Sequence, residues 1–249
     1  MTLQHISDTH GAKFHTKLKL LKCDILVHSG DIGGRTSLPE LLDFLIWFSV
    51  QPATYKIFVA GNHDIILDKK WPQSLKNQGK IVEALLAEQL YTEGQELLKK
   101  YPEIIYLEDT EITISNLKFY GSPITPSFHR QHWAFNADRG EEIQKYWAKI
   151  PSDVDVLITH GPPFGILDII PEHFRQVHED PRRGCEDLLD VMKKRLKNLQ
   201  LHCFGHIHEG PTAVQRVQLT NTRWATFSNG AVISNYYELV MPNPPIINI

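Results

Sequence analysis

The sequence predicts a mixed α/β fold, a four-layer αββα sandwich in which two mixed β-sheets are flanked by helices. Short β-branched runs alternate with longer amphipathic stretches in the first part of the chain, as expected when helices connect the strands of a sheet. Hairpin-like strands follow in the middle and near the end. No internal repeat or low-complexity linker divides the 249 residues, so we expect residues 1–249 to form a single domain.

Five near-continuous apolar runs predict strands that are covered on both faces. They lie at residues 3–6, 24–28, 55–60, 154–158 and 200–204. Shorter segments between turn residues predict hairpin strands. These occupy residues 104–107, 111–114 and 118–120, and then 213–219, 222–227 and 236–240.

Three stretches between the strands carry helical signals. Ser37 and Glu40 form a capping box, and we expect a helix from there through Trp47. Apolar residues at helical spacing predict one or two helices over 75–100. We interpret them as a helical insertion around 70–100 that either packs on the sheet or makes a subunit contact, and we favour the core as the place of its apolar stripe. Residues 184–199 predict a further helix.

The composition limits the classes of function. The chain is 42% hydrophobic and 22% charged, with a net charge of -3, so it has no basic excess for bulk binding of nucleic acid or anionic membranes. The N-terminal sequence has no secretory signal, and no apolar stretch reaches the length of a membrane span. The three cysteines form no disulfide framework. We therefore expect a cytoplasmic protein.

Polar residues follow each of the five apolar runs. They are Asp8 and His10, then Asp31, then Asn62, His63 and Asp64, then His160, and finally His206 and His208. Because ligands bind outside the carboxyl ends of strands in open α/β sheets, we expect these side chains to meet at one edge. Carboxylates and imidazoles suit Mn, Fe and Zn, whereas the absence of cysteine from this set of residues argues against a structural zinc site.

These residues form five blocks in a fixed order: D-x-H, G-D, G-N-H-D, H and G-H-x-H. In this arrangement the sequence resembles the calcineurin-like metallophosphoesterases, from residue 3 to about 230. Segments such as 121–123, 160–163, 183–185 and 205–210 are similar to the branch of vertebrate metallophosphoesterase-domain-containing proteins and their microbial relatives. Some members of that branch lack the first histidine of the last block, which this sequence keeps as His206.

The resemblance implies a metallophosphoesterase-like fold that holds two divalent or trivalent metal ions, with Mn preferred over Fe or Zn. It assigns one ion to Asp8, His10, Asp31 and His208, and the other to Asp31, Asn62, His160 and His206. Asp31 would bridge both ions, because its two oxygens offer separate lone pairs.

Two further roles come from the same resemblance. His63 would stabilise the transition state and act as a general acid, while Asp64 would orient the His63 ring. In an alternative interpretation, Asp64 is a turn residue that accepts hydrogen bonds from its own backbone.

The function implied by the resemblance is dinuclear, metal-dependent hydrolysis of a small phosphate-ester substrate by a hydroxide held between the two ions. A phosphodiesterase acting on small, cyclic-nucleotide-like diesters is favoured, with a phosphomonoesterase or protein phosphatase as the alternative. A non-catalytic protein-binding scaffold is the alternative from another class, and the presence of His63 argues against it. A homo-oligomer is left open.

Some residues near these blocks allow two interpretations. The aromatic segment 126–135 either lines the substrate pocket or packs as a loop. Three arginines either meet a phosphate or remain solvated, namely Arg139, Arg182 and Arg183. His28 and His202 lie inside strands, where we expect hydrogen bonds within the core.

Overall fold

The computed structural model describes residues 1–128, 133–174, 180–209 and 213–249, with the side chain of residue 174 excepted. His129 and His132 of the aromatic segment lie outside the described residues, as does position 210 of the last family-like segment. The helices are α1 (Leu38–Ser49), α2 (Trp71–Asn77), α3 (Ile81–Leu98), α4 (Glu141–Trp147) and α5 (Glu186–Lys194). The strands are β1 (Thr2–Ile6), β2 (Cys23–His28), β3 (Ala53–Phe58), β4 (Ile104–Tyr106), β5 (Thr110–Ile114), β6 (Leu117–Ser122), β7 (Thr125–Pro126), β8 (Asn136–Ala137), β9 (Val156–Thr159), β10 (Leu201–Phe204), β11 (Val214–Thr220), β12 (Arg223–Asn229) and β13 (Ile246–Asn248).

Two large sheets organise the described chain, and both are mixed. The first sheet has the order β13-β1-β2-β3-β4, in which only β13 runs antiparallel to its neighbour. The second sheet has the order β11-β12-β10-β9-β6-β5, with a parallel centre and an antiparallel strand at each edge. Strands β7 and β8 form a small separate pair.

The two sheets pack face to face because alternate strand residues point into a shared apolar layer. Ile25 and Val27 of β2 lie in one buried cluster with Val156 and Ile158 of β9. The intervening Leu26 belongs instead to the cluster that includes the helices. The predicted four-layer sandwich, with two mixed sheets between helices, is confirmed.

Helix α1 begins where the sequence predicts. The Ser37 hydroxyl accepts a hydrogen bond from the Glu40 amide, and the Glu40 carboxylate accepts one from the Ser37 amide at 2.9 Å. Glu40 also accepts a hydrogen bond from the Gly34 amide at 3.2 Å. The same capping residue therefore stabilises the helix start and the loop that follows β2. Phe44 and Phe48 bury the inner face of the helix.

Helices α2 and α3 occupy the stretch in which helices are predicted, but half of the stripe expected in the core is exposed. Four residues at the start of α3 are more than half exposed: Ile81, Val82, Leu85 and Leu86. Leu90, Leu97 and Leu98, in its second half, pack against the core as expected. No helix in the described ranges is long and apolar enough to cross a membrane.

Two strand predictions need correction, and one strand was missed. β4 does not form a hairpin, because it pairs in parallel with β3 at the edge of the first sheet. Residues 236–240 form no strand and contribute one isolated bridge, between Ile233 and Leu239. The final strand is β13, which pairs with β1. The pairings of β4 with β3 and of β13 with β1 depend on partners far away in sequence, which local patterns do not encode.

Candidate metal centre

The five polar blocks meet where strands of both sheets end. The loops after β1 and β2 run side by side, because the Asp8 amide donates to the Gly30 carbonyl and the His10 amide donates to the Asp31 carbonyl. The second sheet joins them through the His206 amide, which donates to the Asp8 carboxylate at 3.0 Å. The predicted convergence of separate segments at one edge is thus present in the structure.

The Asp31 carboxylate lies at the centre of the cluster. Its Oδ2 atom is 3.3 Å from His160 Nε2, 3.7 Å from His10 Nε2 and 3.9 Å from His63 Nε2. Its Oδ1 atom accepts a hydrogen bond from the His63 amide at 2.8 Å. A carboxylate surrounded in this way can share its oxygens between two cations.

Two contacts flank Asp31. His208 Nε2 is 3.1 Å from the Asp8 carboxylate, and His160 Nε2 is 3.0 Å from the Asn62 amide oxygen. Among the residues that the structure describes, three groups of side chains have ligand atoms close enough to surround a metal ion. They are Asp8, His10 and His208; His10, Asp31 and His63; and Asp31, His160 and His206.

The donor atoms fit divalent cations. Both ring nitrogens of His10 are buried without a hydrogen-bond partner among the described residues, which is costly unless another group binds them. His160 Nε2 faces two oxygens, those of Asn62 and Asp31, so a proton or a cation must lie between them. Carboxylate, amide and imidazole donors together are typical of Mn, Fe and Zn sites.

Glycines let the backbone approach the carboxylates. A Cβ atom added at Gly61 would lie 2.3 Å from Asp31 Oδ1, and one added at Gly205 would lie 2.0 Å from Asp8 Oδ2. No side chain fits at such distances. The glycines of the third and fifth blocks therefore have a steric role.

Four of the candidate metal ligands have a backbone in the left-handed region. The φ angles are 54° at Asp8, 44° at His10, 57° at Asp31 and 68° at His206. Such conformations are unfavourable for residues other than glycine, and they concentrate at functional sites where the surrounding fold enforces them. The turns that end the strands thus aim these side chains at a common point.

Burial and neighbouring charges set the protonation of the cluster. Burial opposes the charge of Asp31, but the surrounding histidines outweigh it and hold the pKa of this carboxyl well below its usual value. Burial lowers the pKa of His10 to about 4 and that of His206 to about 3, so both rings are neutral at pH 7. Burial also opposes the charge of His160, yet Asp31 raises the pKa of this ring to about 9.

Asp64 does not contact the His63 ring, which corrects the sequence prediction. One Asp64 oxygen accepts hydrogen bonds from the amides of Gly61 and Asp31, at 2.7 and 3.0 Å. The other accepts from the Ile32 amide and the Thr36 hydroxyl, at 3.1 and 2.5 Å. Asp64 therefore closes its own turn and holds the Asp31 loop, which agrees with the alternative interpretation.

The His63 ring is positioned by a carbonyl group instead. Its Nδ1 atom is paired with the Gly34 carbonyl oxygen, so Nε2 points to the Asp31 side of the cluster. The side chain is 16% exposed, compared with 2% for His10. His63 is consequently the more accessible of these two histidines.

Aromatic side chains border the cluster. The Trp133 ring centroid is 4.4 Å from that of His63, and the Arg35 guanidinium lies 5.4 Å from the Trp133 ring. The Tyr237 ring is 5.2 Å from the His10 ring, and Tyr237 also has a left-handed backbone, with a φ of 56°. Sequence reasoning identified the aromatic segment around Trp133 but missed Tyr237, which no motif marks.

The three arginines named above have partners in the segment 180–186. Arg139 donates to the Gly184 carbonyl at 2.9 Å and pairs with Glu186. Arg182 pairs with Asp180 at 2.8 Å, and Arg183 donates to the Asp180 carbonyl at 2.5 Å. These contacts bind the segment together and favour neither a phosphate contact nor free solvation.

Comparison with known proteins yields matches over most of the chain. A family model described as calcineurin-like phosphoesterase matches residues 1–210. Metallophosphoesterase domain-containing protein 1 of Homo sapiens is 36% identical over 97% of this chain and 68% of its own length, and the Mus musculus protein gives the same values. A UPF0046 protein of Caenorhabditis elegans is 31% identical over 97% of this chain and 78% of its own length.

The fold is also found among solved structures. One of them has a TM-score of 0.58 and 16% sequence identity, over 92% of this chain and 89% of its own. At that level of sequence identity, the match shows that the two chains share a fold and nothing more.

Proposed function

Because the chain belongs to the calcineurin-like phosphoesterase family, we propose that it is a dinuclear metal-dependent phosphodiesterase acting on small diesters such as cyclic nucleotides. The observation that carries the proposal is the Asp31 carboxylate, with three histidine Nε2 atoms within 3.9 Å of one of its oxygens. Such a group can join two cation positions.

The first cation position consists of Asp8, His10, Asp31 and His208. The second cation position consists of Asp31, Asn62, His160 and His206. Bound cations would supply a water molecule deprotonated near neutral pH and would neutralise the phosphate oxygens. We favour Mn over Fe or Zn, although these donor types accept all three.

The residues of the chain have distinct tasks in this scheme. The carboxylates of Asp8 and Asp31 would supply negative charge opposite the cations. The neutral rings of His10 and His206 would offer nitrogen lone pairs. His63 lies beside the cluster and is partly exposed. Because Nδ1 donates to the Gly34 carbonyl, the ring can donate from Nε2 to a phosphate or leaving-group oxygen in its doubly protonated form. Its Nδ1 contact with the Gly34 carbonyl fixes the ring for that role.

Two aromatic contacts support a diester rather than a monoester. Trp133 borders His63, and Tyr237 borders His10. A diester carries an organic group on each of two phosphate oxygens, whereas a monoester carries only one. Separate aromatic surfaces beside neighbouring histidines, whose ring centroids are 4.7 Å apart, suit two such groups.

The proposal is tested by hydrolysis assays on purified protein supplied with Mn²⁺. We expect cleavage of bis-p-nitrophenyl phosphate and of 2′,3′- or 3′,5′-cyclic nucleotides, with weaker cleavage of p-nitrophenyl phosphate. Asp31→Asn should abolish turnover, whereas Asp190→Asn, which alters an exposed carboxylate on α5, should leave it unchanged.

Other outcomes would identify the alternatives. Cleavage of the monoester alone would support a phosphoester hydrolase and contradict the phosphodiesterase assignment. A protein that bound no metal and cleaved neither ester would be a scaffold instead.

We also propose a cytoplasmic location, which the three buried free cysteines support.

A further inference from the structure

Two buried histidines lie close behind the metal centre without belonging to it. His28 precedes Asp31 by three residues in the first sheet, and His202 precedes His206 by four in the second. Both rings are fully buried. His28 also contacts the Phe44 ring of α1, with centroids 5.1 Å apart.

The His28 ring is part of a directed chain of hydrogen bonds. The Gly30 amide donates to His28 Nδ1 at 3.2 Å, so the ring proton of the neutral imidazole must lie on Nε2. Nε2 is 3.1 Å from the Thr9 hydroxyl, and that hydroxyl donates to the Ile32 carbonyl at 3.3 Å. Donors and acceptors agree at every step.

This chain connects two ligand loops. Thr9 stands between Asp8 and His10, and Gly30 immediately precedes Asp31. All three ligand residues have left-handed backbones, as does Gly30 with a φ of 103°. One imidazole therefore fixes the relative position of two unfavourable turns.

The second sheet has a similar arrangement, except that His202 Nδ1 has no hydrogen-bond partner among the described residues. His202 Nε2 is 2.8 Å from the Thr159 hydroxyl, which donates to the Gly161 carbonyl at 2.7 Å. Thr159 immediately precedes His160. Again a strand histidine donates to a threonine, and the threonine donates to the loop that carries a ligand.

Burial keeps both rings in the form that the hydrogen bonds require. It lowers the pKa of His28 to about 3 and holds the pKa of His202 well below its usual value. Each ring is thus neutral at pH 7 and carries one proton, which the threonine accepts.

We propose that His28 and His202 are positioning residues for the two cation positions. His28 acts through Thr9 on the first cation position, and His202 acts through Thr159 on the second. This inference rests on the proposed dinuclear centre. Neither histidine touches a cation or the substrate; each holds the loop from which ligands extend, as partners of metal ligands commonly do.

The test measures Mn²⁺ affinity at one position at a time, by calorimetric titration of metal-free protein. His206→Ala leaves the first position intact, and His208→Ala leaves the second. In the first background, Thr9→Val should weaken Mn²⁺ binding by roughly 10- to 100-fold, whereas Thr9→Ser, which keeps the hydroxyl, should bind as the parent does. In the second background the loss caused by Thr9→Val should be several-fold smaller, because the shared Asp31 is the one ligand there that adjoins this hydrogen-bond chain.

The other sheet supplies the mirror experiment. Thr159→Val, but not Thr159→Ser, should weaken Mn²⁺ binding only in the His208→Ala background. Thermal unfolding of each metal-free variant reports whether it folds. Should Thr9→Val fail to fold, His28→Asn replaces it, because asparagine keeps an acceptor for the Gly30 amide but cannot reach Thr9.

The results separate the two claims. Equal Mn²⁺ affinities for the valine and serine variants, or equal losses in both backgrounds, would overturn the positioning role. If the unmodified protein bound no Mn²⁺ at all, the proposed function would fail first. Position-selective loss in both sheets would support the inference.

Discussion

At the scale of single residues, the centre depends on neighbours that are adjacent in sequence but differ in task. Asn62, His63 and Asp64 follow one another, yet their side chains serve three purposes. Asn62 faces His160, His63 lies at the accessible side, and Asp64 closes the turn. A motif therefore indicates which residue types a site needs before it indicates what each one contacts.

Replacing His63 tests its assignment to the substrate rather than to a cation. His63→Ala should lower kcat by roughly 10²- to 10³-fold, because a donor to the transition-state oxygen is lost. Mn²⁺ affinity should stay unchanged in calorimetric titration, since neither cation position includes this residue. A fall in Mn²⁺ affinity as large as the fall in kcat would make His63 a ligand.

His15 should make the fold sensitive to acid. Its ring is 4% exposed and stacks on Trp47 at 4.1 Å, and burial lowers its pKa to about 4. The unfolded chain binds a proton at this ring below about pH 6.5, but the folded chain does so only near pH 4. The contribution of the neutral His15 ring to the free energy of unfolding is therefore fully present above about pH 6.5. It is lost as the pH falls from about 6.5 to about 4, and the loss is about 2 kcal/mol at pH 5.

The variant His15→Phe isolates this effect, because it keeps an aromatic stack and removes the proton site. Urea unfolding of the metal-free proteins at pH 7.5 and pH 5 gives the comparison. The unmodified protein should lose about 2 kcal/mol more than the variant. Identical losses would show that other groups cause the acid sensitivity.

At the scale of elements, helix α1 links the fold to the centre through its first turn. Glu40 accepts hydrogen bonds from Ser37, in the capping box, and from Gly34, whose carbonyl is paired with the His63 ring. The helix start and the ligand loop therefore share one carboxylate. We expect a substitution at the cap to lower the free energy of unfolding.

Ser37→Ala should lower the free energy of unfolding by about 1 kcal/mol, because one amide of the first turn loses its acceptor. Chemical denaturation measures the change. Ser37→Thr keeps the hydroxyl and serves as the control. Equal stability of the alanine and threonine variants would contradict a capping contribution.

Helix α3 has a different character from α1. Its first turns expose four apolar side chains, although its second half packs on the core. Helical spacing in the sequence did not distinguish these halves, because burial depends on what the tertiary fold places opposite each turn. Formation of a homo-oligomer, through this surface or another, stays a prediction.

At the scale of the whole molecule, the two proposed cation positions take residues from both sheets. Asp8, Asp31 and Asn62 follow strands of the first sheet, and His160 and His206 follow strands of the second. A cation bound to both groups would resist separation of the sheets. Ligand binding to the folded state alone always adds to stability.

Thermal unfolding should therefore depend on Mn²⁺. At a concentration 100 times the dissociation constant, Mn²⁺ should add about 2.7 kcal/mol to the free energy of unfolding, and a chelator should remove that gain. Asp31→Asn should abolish most of the effect, while Asp190→Asn should preserve it. A melting temperature unaffected by Mn²⁺ in the unmodified protein would argue against specific binding.

Much of this molecule could be predicted from sequence because its strongest signals are local. The apolar runs, the capping box at Ser37 and the polar residues after each strand all lie within short windows. The parallel pairing of β4 and the approach of Tyr237 to His10 depend on distant segments, so no local pattern reveals them. Asp64 shows the intermediate case, in which the residue was found but its partner was not.

The left-handed backbones at Asp8, His10, Asp31 and His206 carry a consequence for laboratory evolution. Each such residue costs of order 1–3 kcal/mol, which glycine would largely avoid. A screen that rewarded heat tolerance alone, carried out without metal ions, would therefore favour glycine at these four positions. The selected variants would keep the fold and lose the side chains that are proposed to bind cations.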